Sequence, residues 1–199
     1  MKIVDLEIKS FKGLIDLELH KAPDLVVLAG PNGSGKSAVL QALTFFKERV
    51  GPYSGYSTRN PVNSGAEFGE IFVEFKLYPA EERFLHGAVG SVSFDKTLSG
   101  RIRFDKTGNL TNQEFDPSLS TLLQTYSPEQ YPDLGIFDYN DAHRIFQESS
   151  VGNLSLSGAR NLPLGGSDPQ RERQRRVQPG TSKYAGLKQY LAQLKLSEL

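Results

Sequence analysis

The sequence has no cysteine among its 199 residues. Disulfide bonds and thiolate metal sites are therefore excluded, which suits the reducing conditions of a cytoplasm. The opening residues, MKIVDLEIKS, lack the apolar core of a secretory signal peptide. No run approaches the roughly 18 apolar residues that a membrane-spanning helix needs. Together these absences predict a soluble cytoplasmic protein with no membrane partner.

The chain also lacks net charge, because 23 lysines and arginines balance 23 aspartates and glutamates. A neutral chain argues neither for nor against nucleic-acid binding, since it can still carry a local basic face. A length of 199 residues is enough to bury a substantial core. Function must therefore be inferred from motifs rather than from composition.

Two N-terminal segments, residues 1–9 and 14–20, alternate between apolar and polar side chains. A short break that contains Gly13 separates them. A period of two on both sides of a turn predicts an antiparallel hairpin with one buried face.

Residues 25–51 contain the strongest motif of the chain. Leu25–Ala29 is continuously apolar, which predicts a strand covered on both faces. The sequence GPNGSGKS follows, with the spacing Gly30-x-x-x-x-Gly35-Lys36-Ser37 of a phosphate-binding loop. Apolar residues then recur at spacings of three and four as far as Gly51, which predicts a helix that ends there.

The chemistry of this loop predicts ATP and Mg²⁺ as cofactors. Glycines allow successive backbone N–H groups to point at phosphate oxygens, and the helix adds its partial positive N-terminus. Lys36 is expected to reach the β- and γ-phosphates, and the Ser37 hydroxyl to bind Mg²⁺. The predicted cofactor-binding residues of the loop are Asn32, Gly33, Ser34, Gly35, Lys36, Ser37 and Ala38.

The sequence GPNGSGKS, preceded by a hairpin that carries IKSFKGL, resembles the N-terminal lobe of an ABC-class ATPase head. The similarity is to the SMC, RecF and OLD-type group, also labelled AAA-family ATPases. Phe11-Lys12-Gly13 and Asn32 match the aromatic-basic turn and the loop asparagine of that group. The resemblance implies an α/β P-loop NTPase with a mixed sheet, and it places Lys12 near the phosphates. A solvated turn lysine is the alternative for Lys12.

The remaining segments up to residue 147 predict an antiparallel portion beside a parallel core. Gly, Pro, Ser and Asn are frequent in residues 51–67, which predicts a surface loop. The other predicted elements are strands at 69–77, 90–94, 101–104 and 134–139, and a helix at 117–126.

Three regions follow from these patterns. Residues 1–147 are predicted as the nucleotide-binding lobe, and 148–182 as a flexible segment rich in Gly, Ser and Arg. Residues 183–199 are predicted as the start of an amphipathic helix. This helix is either the first helix of an insertion between two lobes, as the resemblance implies, or its apolar stripe packs on the sheet of this chain.

The resemblance implies a second lobe with a signature loop, an Asp-Glu pair and a switch histidine. Here Asp138 is followed by tyrosine, and LSLSGARN at 154–161 comes after the acidic strand, in the wrong order. The resemblance also makes Gln147 a candidate for contact with Mg²⁺ or the attacking water, although other glutamines lie nearby. Hydrolysis is therefore expected to require a second lobe and a homodimer partner.

The sequence is also compatible with other functions. A complete small-molecule kinase would use RERQRR at 171–176 as a lid, with Asp138 or Asp141 near the acceptor hydroxyl. A binding module would hold nucleotide without turnover. The resemblance points to DNA repair, DNA maintenance or phage defence. The segment that contains Arg160, Arg171, Arg173, Arg175 and Arg176 is either a DNA contact or a solvated segment.

Overall fold

The structure is a computed structural model that describes residues 1–51, 57–89 and 96–124. These residues form a mixed α/β arrangement of five strands and three helices. The strands are β1 Lys2–Phe11, β2 Leu14–Leu19, β3 Phe68–Lys76, β4 Thr97–Asp105 and β5 Leu110–Phe115. The helices are α1 Lys36–Val50, α2 Pro79–Val89 and α3 Pro117–Gln124.

The strands form one sheet in the order β2-β1-β3-β4-β5, with antiparallel pairing at every described neighbour. The predicted N-terminal hairpin is confirmed, since Ile8 of β1 lies opposite Leu17 of β2. On the other side, Ile8 lies opposite Ile71, which in turn lies opposite Ile102. The alternation of side chains places these three isoleucines on one buried face of the sheet.

Helix α1 covers that buried face. The Phe45 ring lies between two strand residues, with centroid distances of 5.8 Å to Phe11 and 4.8 Å to Phe104. The helix ends where the sequence predicts, because the Gly51 N–H donates to the carbonyl of Lys47 at 2.8 Å. These contacts fix α1, and with it the glycine loop, against the sheet.

Helix α3 confirms the prediction of a helix that begins at residue 117, whereas α2 has no counterpart among the predicted elements. The first turn of α2 is held by Glu81, whose carboxylate accepts a 2.6 Å hydrogen bond from the Tyr78 N–H. The buried Glu81 carboxylate also pairs with the amino group of Met1. Tyr78 in the capping position is not one of the preferred Ser, Thr, Asp or Asn, whereas Pro79 at the first helical position and the first-turn glutamates are helix-start signals that could have identified α2.

The prediction of a buried strand at Leu25–Ala29 is wrong. This segment pairs with no strand in the parts of the chain that the structure describes. Leu25 and Val27 are 77% and 76% exposed. A continuous apolar run favours burial on two faces, but a strand also needs a hydrogen-bonded neighbour. The described sheet offers none to this segment.

Several predicted features lie outside the described residues. These are the strands at 90–94 and 134–139, the residues Asp138, Asp141 and Gln147, the segment 148–182 and the helix at 183–199. Among the three described helices, none has the length and apolar character that a bilayer crossing requires.

Candidate functional site

The glycine loop at residues 30–37 has a backbone that only glycine adopts easily. Gly30, Gly33 and Gly35 have φ angles of 152°, 84° and 89°. These values lie in the left-handed range that side chains disfavour. The loop is closed by a 3.3 Å hydrogen bond from the Ser34 N–H to the carbonyl of Pro31. The spacing of glycines in the sequence therefore matches the positions where the chain turns.

Lys36 is the first residue of α1, and its side chain folds back over the loop. Its Nζ donates to the carbonyls of Gly30 and Pro31 at 2.8 and 2.7 Å, and it lies 3.4 Å from the Ser34 hydroxyl. The ammonium group thus lies at the loop that the sequence predicts to hold phosphate. A phosphate would offer this ammonium stronger, charged acceptors than neutral carbonyls.

The N-terminus of α1 carries no competing negative group. Gly35 occupies the cap position without a side-chain hydrogen bond, and the first turn contains no acidic residue. The first N–H groups of a helix have no intrahelical partners, and their partial positive charge favours an anion. Ser37 is exposed in this turn, whereas Ala38 is buried and can contribute only its backbone.

The loop packs against the hairpin turn that the sequence singles out. A Cβ atom on Gly35 would lie 2.6 Å from Cδ2 of Leu14, so the loop backbone lies directly on the start of β2. A side chain at this position would have to displace the Leu14 side chain and adopt a φ of 89°, so glycine is strongly favoured. The aromatic-basic turn and the glycine loop are therefore neighbours in space.

Lys12 points from that turn onto α1. Its Nζ donates to the Gln41 Oε1 at 2.5 Å. Burial of this half-buried side chain lowers the pKa of the Lys12 ammonium. Ser37 and Gln41 are four residues apart and share one face of the helix. Lys12 is thus held one helical turn along that face from Ser37, and it is not a freely solvated turn lysine.

Two contacts of Lys12 were not found from the sequence. Gln41 lies at a helical spacing from Ser37 that could have identified it. The other contact is Asn63, whose side chain reaches the Lys12 carbonyl from 51 residues away, and no local pattern predicts such a pairing.

Within the described residues, Ser37 is the one residue that the sequence predicts as a metal ligand. There, no group of three or more His, Asp or Glu side chains is arranged to hold a metal ion. A serine hydroxyl is an oxygen ligand of the kind that Mg²⁺ accepts, usually together with waters and phosphate oxygens. The second predicted ligand, Gln147, lies outside the described residues.

A comparison with known families matches most of the chain. The family model described as an AAA ATPase domain matches residues 1–136. Two curated proteins named DNA replication and repair protein RecF are also similar. The protein from Anaeromyxobacter dehalogenans (strain 2CP-1 / ATCC BAA-258) is 33% identical over 76 residues, and that from Anaeromyxobacter sp. (strain Fw109-5) is 32% identical over 75. Each match covers 38% of this chain and 20% of the relative, so the matched part spans a fifth of those proteins.

Solved structures of SMC proteins show a weaker likeness. One comes from work on ATP-driven dimerization and DNA-stimulated activation of SMC ATPases. It is 20% identical with a TM-score of 0.41, over 58% of this chain and 70% of that chain. The other is an SMC head bound to the C-winged helix domain of ScpA. It is 18% identical with a TM-score of 0.39, over 59% and 36% of the two chains. Both TM-scores are under 0.5, so this likeness supports no statement about function.

Proposed function

The chain belongs to the AAA ATPase domain family, and from this premise we propose that it binds MgATP as the first lobe of an SMC/RecF-like ATPase. The observation that carries the proposal is the position of Lys36, whose ammonium is hydrogen-bonded to the carbonyls of Gly30 and Pro31 beside an uncapped helix N-terminus. A lysine ammonium beside the N-terminus of a helix fits a chain of phosphates.

The roles of the site residues follow from their chemistry. Lys36 binds the β- and γ-phosphates, and the N–H groups of residues 32–37 surround the β-phosphate. Ser37 supplies an oxygen ligand for Mg²⁺, and Gln147 is proposed as a second ligand that also contacts the attacking water. Lys12 is proposed to approach the phosphates from the hairpin turn. When bound, the metal neutralises the charge that develops on the transferred phosphoryl group.

Hydrolysis is proposed to need a second lobe that supplies an acidic pair, and a homodimer partner that supplies a signature loop. The exposed apolar segment at Leu25–Leu28 is a surface suited to cover by another element. It borders a cavity of about 570 Å³. The apolar side chains that line this cavity include Leu17, Leu19, Val26, Leu28, Leu40 and Leu43. Such a surface favours burial against another element, because contiguous exposed apolar patches are uncommon on monomeric soluble proteins.

The biological setting is proposed from the relatives. Both RecF proteins carry DNA replication and repair in their names, and the chain is proposed to serve DNA repair or maintenance. A contact with DNA through the arginines of residues 160–176 stays part of this proposal. A gel shift at low salt that disappears as salt rises would support it, because phosphate contacts release counterions.

Calorimetric titration of the purified 199-residue chain with MgATP, followed by a phosphate-release assay, tests the proposed function. We expect saturable binding that weakens when Mg²⁺ is chelated, and turnover close to the uncatalysed background. Failure to bind MgATP would contradict the proposal. Rapid Mg²⁺-dependent turnover by this chain alone would contradict the need for a second lobe, and phosphoryl transfer to a nucleoside would favour a kinase.

Substitution of Gly35 by alanine should lower the affinity for MgATP by about 10- to 50-fold. The φ angle of 89° costs a side-chain-bearing residue about 1–2 kcal/mol, and the new Cβ would overlap Leu14. The loop would relax to another conformation. Returning it to the conformation that binds phosphate would cost free energy, and the affinity for MgATP would fall by that amount. Titration of Gly35→Ala beside Gly87→Ala measures this, because a Cβ on Gly87 of α2 meets no atom within 4 Å. Equal losses in both variants would contradict the loop geometry.

A further inference from the structure

The hairpin turn that carries Lys12 is held by a segment that follows α1. The Lys12 N–H donates to the carbonyl of Pro61 at 2.7 Å, and the Asn63 N–H donates to the carbonyl of Ser10 at 2.9 Å. Between these two bonds, Phe11 forms a bridge with the buried Val62. The segment of residues 61–63 therefore forms an isolated antiparallel bridge beside the turn, and it is called the clamp below.

The side chain of Asn63 adds the contact closest to Lys12. Its Nδ2 donates to the carbonyl of Lys12 at 2.8 Å, and its Oδ1 accepts from the Gly65 N–H at 3.0 Å. Both ends of the amide are thus used. The carbonyl and the N–H of Lys12 are each bonded to the clamp, so neither peptide unit beside Lys12 can rotate freely.

Lys12 needs this support because its backbone is unfavourable. Its φ is 51° and that of Ser10 is 54°, both in the left-handed region. A lysine adopts this region only when surrounding bonds impose it. Without the clamp, the turn would relax towards φ below zero, and the direction of the Lys12 side chain would change with it.

The direction of the Lys12 side chain matters for the proposed phosphate site. The Lys12 Nζ is held by Gln41, one helical turn along α1 from Ser37. A lysine has four rotatable bonds, and its ammonium reaches one place reliably only when its backbone and its tip are both fixed. The clamp fixes the backbone and Gln41 fixes the tip.

We propose that Asn63 is a positioning residue for nucleotide binding, which acts by holding Lys12 in the left-handed turn that directs its ammonium to the Ser37 face of α1. This inference rests on the proposed function. It adds a residue that touches no phosphate, and it assigns the clamp to binding rather than to folding alone.

A double-mutant cycle on the full 199-residue chain tests the proposal. Asn63→Asp keeps the acceptor for the Gly65 N–H and removes the donor to the Lys12 carbonyl, whereas Lys12→Met keeps the side-chain stem and removes the charge. We expect Lys12→Met to weaken MgATP binding by about 10-fold or more, and Asn63→Asp by about 5-fold. The double variant should bind no more weakly than Lys12→Met alone, because residues that act through one another are not additive.

The control is Asn112→Asp, the same chemical change on β5, at the opposite edge of the sheet from the hairpin. It should leave the affinity within about twofold, as expected of an exposed surface substitution. Thermal unfolding of each variant verifies that it is folded. Asn63→Ala replaces Asn63→Asp in the cycle if the aspartate variant is not folded.

Three outcomes would overturn the proposal. If the losses in Asn63→Asp and Lys12→Met add, the clamp affects binding by another route. If Lys12→Met binds MgATP as well as the unchanged chain while Lys36→Ala does not, the inference fails and the proposed function stands. If the unchanged chain fails to bind MgATP, both fail together.

Discussion

Replacing Lys36 with alanine should lower the affinity for MgATP by about 100-fold or more. The lysine ammonium is positioned at the glycine loop by the Gly30 and Pro31 carbonyls, at 2.8 and 2.7 Å. Charge-assisted hydrogen bonds contribute about 1.5–3 kcal/mol each. Two of them, to the β- and γ-phosphates, correspond to at least about 100-fold at 1.4 kcal/mol for each factor of ten.

The same substitution should change the free energy of unfolding little, by less than about 1 kcal/mol. The acceptors that Lys36 leaves behind are carbonyls of an exposed loop, which water can satisfy. Calorimetric titration and denaturant unfolding of Lys36→Ala separate the two effects. Lys106→Ala removes the same charge from the exposed turn between β4 and β5 and serves as the control. Comparable affinities in the two variants would contradict the assignment of Lys36 to phosphate.

Elements that carry a strong local signal were predictable from the sequence. The hairpin followed from alternation of apolar residues, α1 from spacings of three and four, and the end of α1 from Gly51. The match of residues 1–136 to the AAA ATPase domain confirms the family resemblance that GPNGSGKS and the aromatic-basic turn indicated.

What the sequence did not predict depends on contacts between distant segments. Leu25–Ala29 has the composition of a buried strand, yet whether it pairs depends on a neighbour that its own residues cannot specify. The clamp reaches Lys12 through Asn63, 51 residues along the chain. Residues 51–67 were predicted as a surface loop from their composition, but Val62 within them is buried against the turn.

The structure brings these segments together around one loop. Gly35 lies on Leu14 at the start of β2, and Lys12 of the preceding turn contacts α1 through Gln41. The clamp then fixes the turn from the other side. In the proposed function the hairpin ahead of the loop positions Lys12, and a kinase that begins at its loop strand would not need it. This arrangement favours the ATPase lobe over the kinase.

The largest loss of stability is expected from Phe45→Ala. Phe45 is fully buried, and its ring lies 5.8 Å from Phe11 and 4.8 Å from Phe104. Removing a buried phenylalanine leaves a cavity and costs about 3–5 kcal/mol of unfolding free energy. A domain has only about 5–15 kcal/mol in total, so this variant is expected to be close to unfolding at 37 °C.

Urea unfolding followed by far-UV circular dichroism measures this effect. Phe68→Ala is the matched control, because Phe68 is 38% exposed and stacks only on the Arg103 guanidinium among its described ring contacts. It should cost less than about 1.5 kcal/mol, since little apolar area leaves water there. Similar losses in the two variants would mean that α1 is not anchored through Phe45.

The stability of Phe45→Ala can also be measured with nucleotide bound. Because α1 carries both Phe45 and the loop lysine, a ligand that binds only the folded state should restore part of the lost stability. MgATP at 100 times its dissociation constant should add about 2.7 kcal/mol to the unfolding free energy of Phe45→Ala. At the same concentration, a variant that also carries Lys36→Ala should gain only about 0.4 kcal/mol or less, because its affinity is expected to be about 100-fold lower. A gain near 2.7 kcal/mol without Lys36 would place the nucleotide elsewhere on the chain.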